Sequence, residues 1–195
     1  TVYTTTRAID FITEQGEKSW CLHLSYIKPH WPYIVPAPYH ALYSTKSILE
    51  PVRATPSEAS KHPVYTAFRQ HEESLNFSRD SVRLNVIPTY MGLIKQVDDQ
   101  LGRLFDFLQS NGRWDDTLIV FTSDHGDFLG DHWLGEKEFL LEQAVGVPLI
   151  VRDPRAAADV TRGTVDDRLA ETIDALPTFL QALGLPGAEH RLEGR

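Results

Sequence analysis

Apolar side chains recur at helical spacing in three stretches of the chain. They form a short apolar face over residues 6–15, a long one over residues 81–110 and an amphipathic one over residues 170–183. This spacing predicts three helices, and each stretch is followed within two positions by a glycine, a residue that commonly ends helices. Pro88 either kinks the long helix or marks its true start, because proline lacks the amide hydrogen that a helix interior uses.

Three other stretches carry the patterns of β-strands. Residues 20–27 alternate apolar and polar side chains and are rich in β-formers, which predicts a buried strand. Residues 117–123 form a continuous apolar, β-branched run, as expected of a central strand covered on both faces. Residues 145–152 form a second such run, in which Pro148 indicates an edge position or an irregular start.

Strands that alternate with helices predict an α/β fold with a layered sheet. At 195 residues the chain can bury a substantial core, and its length suggests one domain. Residues 39–80 stand apart as an irregular region within that domain. Such a long stretch with little regular pattern is unusual in a compact domain and often shapes the rim of a site.

Composition and charge narrow the classes of function. The formal net charge is -8, so a nucleic-acid partner is not expected, because binding a polyanion needs a basic face. A small anionic substrate stays open, since its site needs only a few local cations or a metal. No apolar run approaches the roughly 20 residues that a membrane-spanning helix needs, so no membrane association is expected.

The two ends of the chain carry no recognisable signal. No signal peptide precedes the first helix, and both Thr1 and the last residues resemble the middle of a domain. We therefore interpret the chain as a fragment. The location of the parent protein is not determined by this sequence, and the cytoplasm is only the favoured expectation.

Candidate chemistry first occurs where the predicted strand 117–123 ends, at Asp124, His125 and Gly126. In open α/β sheets ligands gather at the carboxyl ends of strands, and a carboxylate oxygen beside an imidazole nitrogen suits a metal. The alternative is that Asp124 caps a following helix while His125 is a surface residue. These residues by themselves leave both interpretations open.

Two further residues lie in loops of unusual composition. Lys137 follows a loop rich in Gly, Asp and His, and is either a solvated charge or a compact cation for an anionic oxygen. His30 lies in a proline-stiffened loop after the predicted strand 20–27. It is either structural or, if its ring lies near a metal, able to bind substrate or donate a proton to a leaving oxygen.

Taken in order, these motifs resemble the sulfatase family of the alkaline phosphatase superfamily. The resemblance spans nearly the whole chain, and the loop before Lys137 most resembles the branch of phosphonate monoester hydrolases and related arylsulfatases. The matching motifs are residues 28–33 (KPHWPY), 90–94 (YMGLI), 97–103 (VDDQLGR), 121–126 (FTSDHG), 130–132 (GDH), Lys137, 147–151 (VPLIV), 173–180 (IDALPTFL) and 190–195 (HRLEGR).

The resemblance implies a fold and a set of roles. The fold is a three-layer α/β/α sandwich with a mostly parallel mixed sheet, of which residues 1–195 would be the incomplete C-terminal portion of one catalytic domain. The reaction is hydrolysis of small-molecule sulfate esters or phosphonate and phosphate esters at a divalent metal. Asp124 and His125 would be metal ligands, Lys137 would contact the sulfuryl or phosphoryl oxygens, and His30 would bind substrate or assist the leaving group. The metal would be calcium or manganese, with magnesium as a further option.

One part of the family pattern is missing from the chain. The family nucleophile is a formylglycine made within a Cys/Ser-x-Pro/Ala-x-Arg motif, and no such motif occurs in the 195 residues. Cys21 lacks the Pro/Ala and Arg positions, and we interpret it as an inert core thiol. The nucleophile and the remaining metal ligands are expected in a missing N-terminal part. We therefore expect the fragment to be inactive and to bind metal weakly.

Two other interpretations remain open from the sequence. One is a different member of the superfamily, such as a phosphodiesterase or a phosphopentomutase-like enzyme with a Thr or Ser nucleophile. The other is a non-catalytic binding or scaffold protein that kept the fold and lost the chemistry. Sulfate and phosphonate esters share a tetrahedral anion, so the preferred ester is not predicted. A homo-oligomer of the parent enzyme is left open as well.

Overall fold

The computed structural model describes residues 1–55, 60–185 and 191–194. Residues 190 and 195 of the last family-like motif lie outside the described residues. Within the described residues no helix has both the length and the apolar character needed to cross a bilayer. Short 3₁₀ turns join the main elements, which are α1 (Val2–Gln15), α2 (Pro63–Arg69), α3 (Glu72–Phe77), α4 (Asp80–Ser110), β1 (Ile119–Thr122), α5 (Glu142–Val145), β2 (Leu149–Arg152) and α6 (Ala175–Ala182).

The three predicted helices are confirmed, with different bounds. Helix α1 begins four residues earlier than predicted and ends before Gly16, whose φ of 56° favours glycine. Helix α4 begins at Asp80 and runs through Pro88, so the proline does not mark its start. The last helical stretch is shorter than predicted. A 3₁₀ turn, which begins with a capping box at Glu171, precedes α6.

Helices α1 and α4 pack together around a core of Ile12, Leu104 and Leu108. Residues 20–27 lie against this core and alternate between half-buried and exposed side chains, with Trp20, Leu22 and Leu24 facing inward. They make no β-ladder with any described segment, so the predicted strand is not observed as one. A strand is defined by backbone hydrogen bonds to a neighbouring strand. Strands β1 and β2 make these bonds with each other and not with residues 20–27.

The same alternation corrects the expectation for the single cysteine. Cys21 lies on the outward face of residues 20–27 and is exposed, so it is not a core thiol. On that face the neighbouring His23 borders a groove whose other walls include Leu176 and Phe179 of α6. Residues 20–27 therefore face α1 and α4 on one side and border α6 on the other.

Strands β1 and β2 form an antiparallel pair in which Ile119 faces Arg152 and Thr122 faces Leu149. Both strands are shorter than predicted, and β2 begins directly after Pro148, in line with the irregular start expected there. The residues of β1 are half-buried or exposed rather than covered on both faces. Among the described residues this is the only ladder, so the parallel pairs of the predicted mixed sheet are not represented in it.

The region 39–80 is less irregular than its sequence suggests. It contains α2 and α3, which are seven and six residues long and therefore too short to show a helical period. Tyr65 and Phe68 of α2 pack on a second core made by Phe128, Leu134 and Ala144. This second core lies beneath the loop after β1, where the candidate site residues are found.

Candidate active site

The segment that follows β1 approaches the backbone of α5 closely at Gly126. The amide of Gly126 donates a hydrogen bond to the carbonyl of Ala144 at 2.8 Å, which ties the end of β1 to helix α5. A Cβ atom at this position would lie 1.9 Å from the carbonyl oxygen of Gln143. Only glycine therefore allows this close approach, and the approach sets the direction of the two residues before it.

Asp124 and His125 point toward the same space. The Asp124 carboxyl is 85% exposed, and its Oδ2 lies 3.6 Å from Nε2 of His125. Its Oδ1 accepts the backbone amide of His125 at 3.0 Å. The next helical turn in the described chain begins at Asp131 with Gly130 as its N-cap, so Asp124 does not cap a helix there. The cap interpretation of this corner is therefore wrong.

The donor set at this corner fits part of a divalent metal site. His125 Nδ1 lies 2.7 Å from the carbonyl of Gly126, which can only accept, so Nδ1 carries the proton and Nε2 of the neutral ring keeps its lone pair. Metal-binding histidines are commonly oriented by such a bond. The 3.6 Å gap is shorter than two metal–ligand bonds of roughly 2.0–2.4 Å each, so one cation can contact both atoms. No group of three or more potential ligands occurs in the described ranges, so the corner itself offers two donor atoms.

Lys137 is placed by residues 127–137, which we call the lysine loop. Every non-glycine residue with a positive φ in the described chain lies in this loop, namely Leu129, His132, Trp133 and Glu136. Conformations of this kind cost about 1–3 kcal/mol each and cluster at functional sites. The loop is held by the burial of Phe128 and Leu134 and by a hydrogen bond from the Phe128 amide to the Glu136 carbonyl.

His30 and Lys137 meet although they are 107 positions apart in the sequence. Lys137 Nζ lies 3.1 Å from His30 Nε2. The other ring nitrogen, Nδ1, lies 2.9 Å from the carbonyl of Trp31, which can only accept. His30 Nδ1 is therefore the protonated nitrogen, and Nε2 accepts a hydrogen bond from the lysine ammonium.

The loop of His30 and the segment after β1 meet in one small region. The rings of His30 and His125 are 6.4 Å apart between centroids and meet edge to face. The structure thus brings together His30, His125 and Lys137, with Asp124 beside His125 at the exposed border. Every residue proposed from the sequence for this site lies at this one place.

Two further polar residues at the site were not assigned a role from the sequence. The hydroxyl of Tyr33 donates to Asp127 Oδ2 at 2.9 Å, and this bond joins the loop of His30 to the lysine loop. Burial raises the pKa of Asp127, and burial together with the Asp127 charge raises the pKa of Tyr33. The pair spans 94 positions, so no local pattern could predict it. The only signal was the position of Asp127 directly after the Asp-His-Gly corner.

His132 contributes to the support of this region rather than to the site itself. Its Nε2 lies 3.1 Å from the side-chain oxygen of Gln143, and its amide donates to the carbonyl of Val52 at 2.7 Å. The Gln143 amide in turn donates to Asp131. These bonds attach the lysine loop to α5 and to the segment before residue 55.

Comparisons with known proteins agree on one family. A family model described as Sulfatase matches residues 3–185. The chain is 37% identical over 192 residues to the multifunctional alkaline phosphatase superfamily protein PehA of Trinickia caryophylli, a match that covers 92% of this chain and 37% of that protein. It is 28% identical over 182 residues to an arylsulfatase of Clostridium perfringens, covering 89% of this chain and 36% of that protein.

Comparison with solved structures indicates the same family. The phosphonate monoester hydrolase of Silicibacter pomeroyi superposes with a TM-score of 0.85 and 32% identity, covering 98% of this chain and 39% of that chain. The chain thus spans between 36% and 39% of the length of these relatives.

Proposed function

Because the chain belongs to the sulfatase family, we propose that it supplies part of an active site that hydrolyses sulfate esters or phosphonate and phosphate esters in the whole protein. The observation that carries the proposal is the 3.1 Å contact between Lys137 Nζ and His30 Nε2 beside His125. It joins the loop of His30 to the segment after β1 and places a cation and two imidazoles at one location. Such a place suits an anionic ester group.

Asp124 and His125 are proposed as two of the ligands of a divalent metal, which the family implies. When bound, the metal would supply positive charge to an ester oxygen and to the nucleophile. Asp124 offers an exposed carboxylate, and the Gly126 carbonyl orients His125 so that its Nε2 is free. An oxygen-rich site with one imidazole suits calcium, manganese or magnesium, and calcium or manganese are the first choices.

Lys137 is proposed to bind an oxygen of the sulfuryl or phosphoryl group. An ammonium has three N–H donors, of which one points to His30 and one to Glu136. The third has no partner among the described residues and is available to an anionic oxygen. Fixed positive charge stabilises the charge that develops there in the transition state. His30 holds the ammonium in place through Nε2 and lies where it can contact the substrate or the leaving oxygen.

The nucleophile of the proposed reaction is the formylglycine that the family implies. The 195 residues contain no Cys/Ser-x-Pro/Ala-x-Arg motif in which it could be made. Activity is therefore proposed for the whole protein, and we expect the isolated chain to turn over neither class of ester. The names of the relatives include both an arylsulfatase and a phosphonate monoester hydrolase, so both ester classes are proposed as substrates.

Turnover by the whole protein tests the proposal. The purified protein should hydrolyse an aryl sulfate, an aryl phosphonate monoester or both, and a chelator should abolish the activity until a divalent cation is returned. Asp124→Asn and His125→Ala should each weaken metal binding, measured by calorimetry, by more than the roughly 10–100-fold that loss of an outer-shell partner causes, with a loss of turnover. Asp115→Asn is the matched control, since this 96% exposed carboxylate lies in the 3₁₀ turn before β1 and pairs with Arg152, outside the site. Absence of turnover on both esters in metal-loaded protein would refute the proposal.

A further inference from the structure

Glu136 places a carboxylate against the ammonium of Lys137. Its Oε2 lies 3.1 Å from Lys137 Nζ, and the two side chains are only 18% and 26% exposed. The second buried carboxylate nearby, Asp127, is hydrogen-bonded to Tyr33 and to the amide of Leu129. Glu136 is therefore the carboxylate that contacts the lysine directly.

The backbone of Glu136 is held in an unfavourable conformation. Its φ is 65°, a region in which a residue with a Cβ atom is strained and glycine is not. The residue before it is a glycine, Gly135, whose backbone packs closely on Glu73 and Phe77 of α3. A glutamate at this position is thus kept despite its backbone cost, which points to a role for its side chain.

The side chain of Lys137 needs a partner to stay in one place. A lysine ammonium sits on a flexible four-carbon stem and loses much rotamer freedom when it is fixed. His30 Nε2 offers one acceptor, but a neutral imidazole does not compensate a positive charge that is mostly shielded from water. A carboxylate on the opposite side supplies both a charge-assisted hydrogen bond and the compensating charge.

We propose that Glu136 is a positioning residue that holds the Lys137 ammonium between its own carboxylate and His30, with one N–H left free for the anionic group of the substrate. This inference rests on the proposed function, since it assigns a determinant of substrate binding within the same site. In this role Glu136 acts through the position of Lys137, the side chain that its carboxylate contacts. Its charge also faces the Tyr33–Asp127 pair.

Two substitutions at Glu136 separate this role from a structural one. Glu136→Gln keeps the shape and removes the charge, while Glu136→Gly removes the side chain and also the backbone strain. Both should lower kcat/KM of the whole protein about 10–100-fold, in the range expected when a substrate-binding group is misplaced by about 1 Å. The unfolding midpoint of each variant should stay within about 4 °C of the parent. The loss should appear mainly in KM for the anionic ester if Lys137 binds substrate and transition state alike.

Glu138→Gln is the matched control. Glu138 lies on the other side of Lys137 in sequence, is exposed, and accepts only the Lys137 backbone amide at 2.8 Å. Removing its charge leaves the ammonium contacts intact, so kcat/KM should change less than twofold. An equal loss in Glu136→Gln and Glu138→Gln would mean that general charge around the lysine matters and would overturn the specific role.

A double-mutant cycle on kcat/KM tests whether Glu136 and Lys137 act together. If Glu136 acts only through Lys137, then Glu136→Gln should have almost no further effect in a Lys137→Ala background. Equal losses in both backgrounds, or an unchanged kcat/KM for Glu136→Gln, would overturn the inference. An unsubstituted whole protein that turns over no ester would instead count against the proposed function.

Crystal structures provide an arm that does not depend on turnover. In the Glu136→Gly protein Lys137 Nζ should move away from His30 Nε2 or show several conformers, whereas in the Glu138→Gln protein the 3.1 Å contact should persist. A Lys137 side chain that keeps its contact with His30 in the Glu136→Gly crystal would overturn the positioning role, whatever the activity.

Discussion

At the scale of single residues, the two site histidines are oriented in the same way. In each ring Nδ1 donates to a nearby backbone carbonyl, of Trp31 for His30 and of Gly126 for His125. Each ring therefore turns an unprotonated Nε2 toward the site. His30 meets the Lys137 ammonium there, while His125 meets the Asp124 carboxylate at 3.6 Å, where two acceptors face each other and a cation between them would satisfy both.

The hydrogen bond between Tyr33 and Asp127 should contribute to stability. Asp127→Ala would leave the Tyr33 hydroxyl without its acceptor in a half-buried position, at a cost of about 1–3 kcal/mol. Tyr33→Phe removes the donor instead. Urea unfolding of the two single variants and the double variant should show non-additive losses of unfolding free energy, because both changes break the same bond.

Asp98→Ala, which removes a 70% exposed carboxylate of α4, is the control and should change the free energy of unfolding by less than about 0.5 kcal/mol. Strict additivity of the two losses would contradict the coupling.

At the scale of elements, the site depends on how β1 meets α5. Strand β1 supplies only four residues. Gly126, four residues after it, packs closely on the backbone of Gln143 and Ala144. This contact joins the segment of Asp124 and His125 to the helix that precedes β2. The lysine loop lies between the same two elements and rests on the core of Phe128, Leu134 and Ala144.

Gly126→Ala tests this dependence. The new methyl group would lie 1.9 Å from the Gln143 carbonyl oxygen, so either β1 or α5 must move and the hydrogen bond to Ala144 is lost. We expect a loss of about 2–4 kcal/mol in the free energy of unfolding and weaker metal binding. Gly102→Ala in α4 is the control, because nothing lies within 4 Å of its added carbon and alanine favours the helix. A Gly126→Ala protein as stable as Gly102→Ala would refute the steric argument.

At the scale of the whole molecule, Arg53 joins three distant segments. Its guanidinium donates to the carbonyls of Gly130 and Phe77 at 2.7 and 2.8 Å, pairs with Asp80 at 3.0 Å and lies 4.4 Å from the centre of the Trp133 ring. Only a planar group with several donors can make these contacts together. The lysine loop is thereby attached to α3 and to the start of α4.

Arg53→Lys should loosen the lysine loop while keeping the charge. Lysine cannot reproduce the forked contacts, so we expect a loss of about 1–3 kcal/mol and faster amide hydrogen exchange at Phe128, Gly130 and Leu134. Arg103→Lys is the control, since Arg103 lies on the exposed face of α4 and contacts only the Thr6 and Gln100 side chains. Unchanged exchange in Arg53→Lys would show that the hydrophobic core alone holds the loop.

The fold class predicted from the sequence is confirmed. Superposition on a phosphonate monoester hydrolase shows an incomplete α/β domain of the alkaline phosphatase type. The described part of the chain contains two paired strands, and residues 20–27 lie between α1 and α4 on one side and α6 on the other. The expectation of three layers thus agrees with the packing of α1, α4 and α6.

The sequence by itself determined the long helices, the two paired strands and the family. Helices α1 and α4 were predictable because their apolar residues recur with the helical period, and β1 because a β-branched run precedes the Asp-His-Gly corner. The family followed from short motifs in a preserved order. It also led to Asp124, His125, His30 and Lys137 as candidates, since each lies inside such a motif.

Only the tertiary structure decided how these residues act on one another. The contacts of Lys137 with His30 and of Tyr33 with Asp127 span 107 and 94 positions, and no periodicity carries information over such distances. The exposure of Cys21 and the absence of a ladder at residues 20–27 depend on which surfaces find a partner. The position of Glu136 depends on a positive φ that the surrounding packing imposes on a residue without a local preference for it.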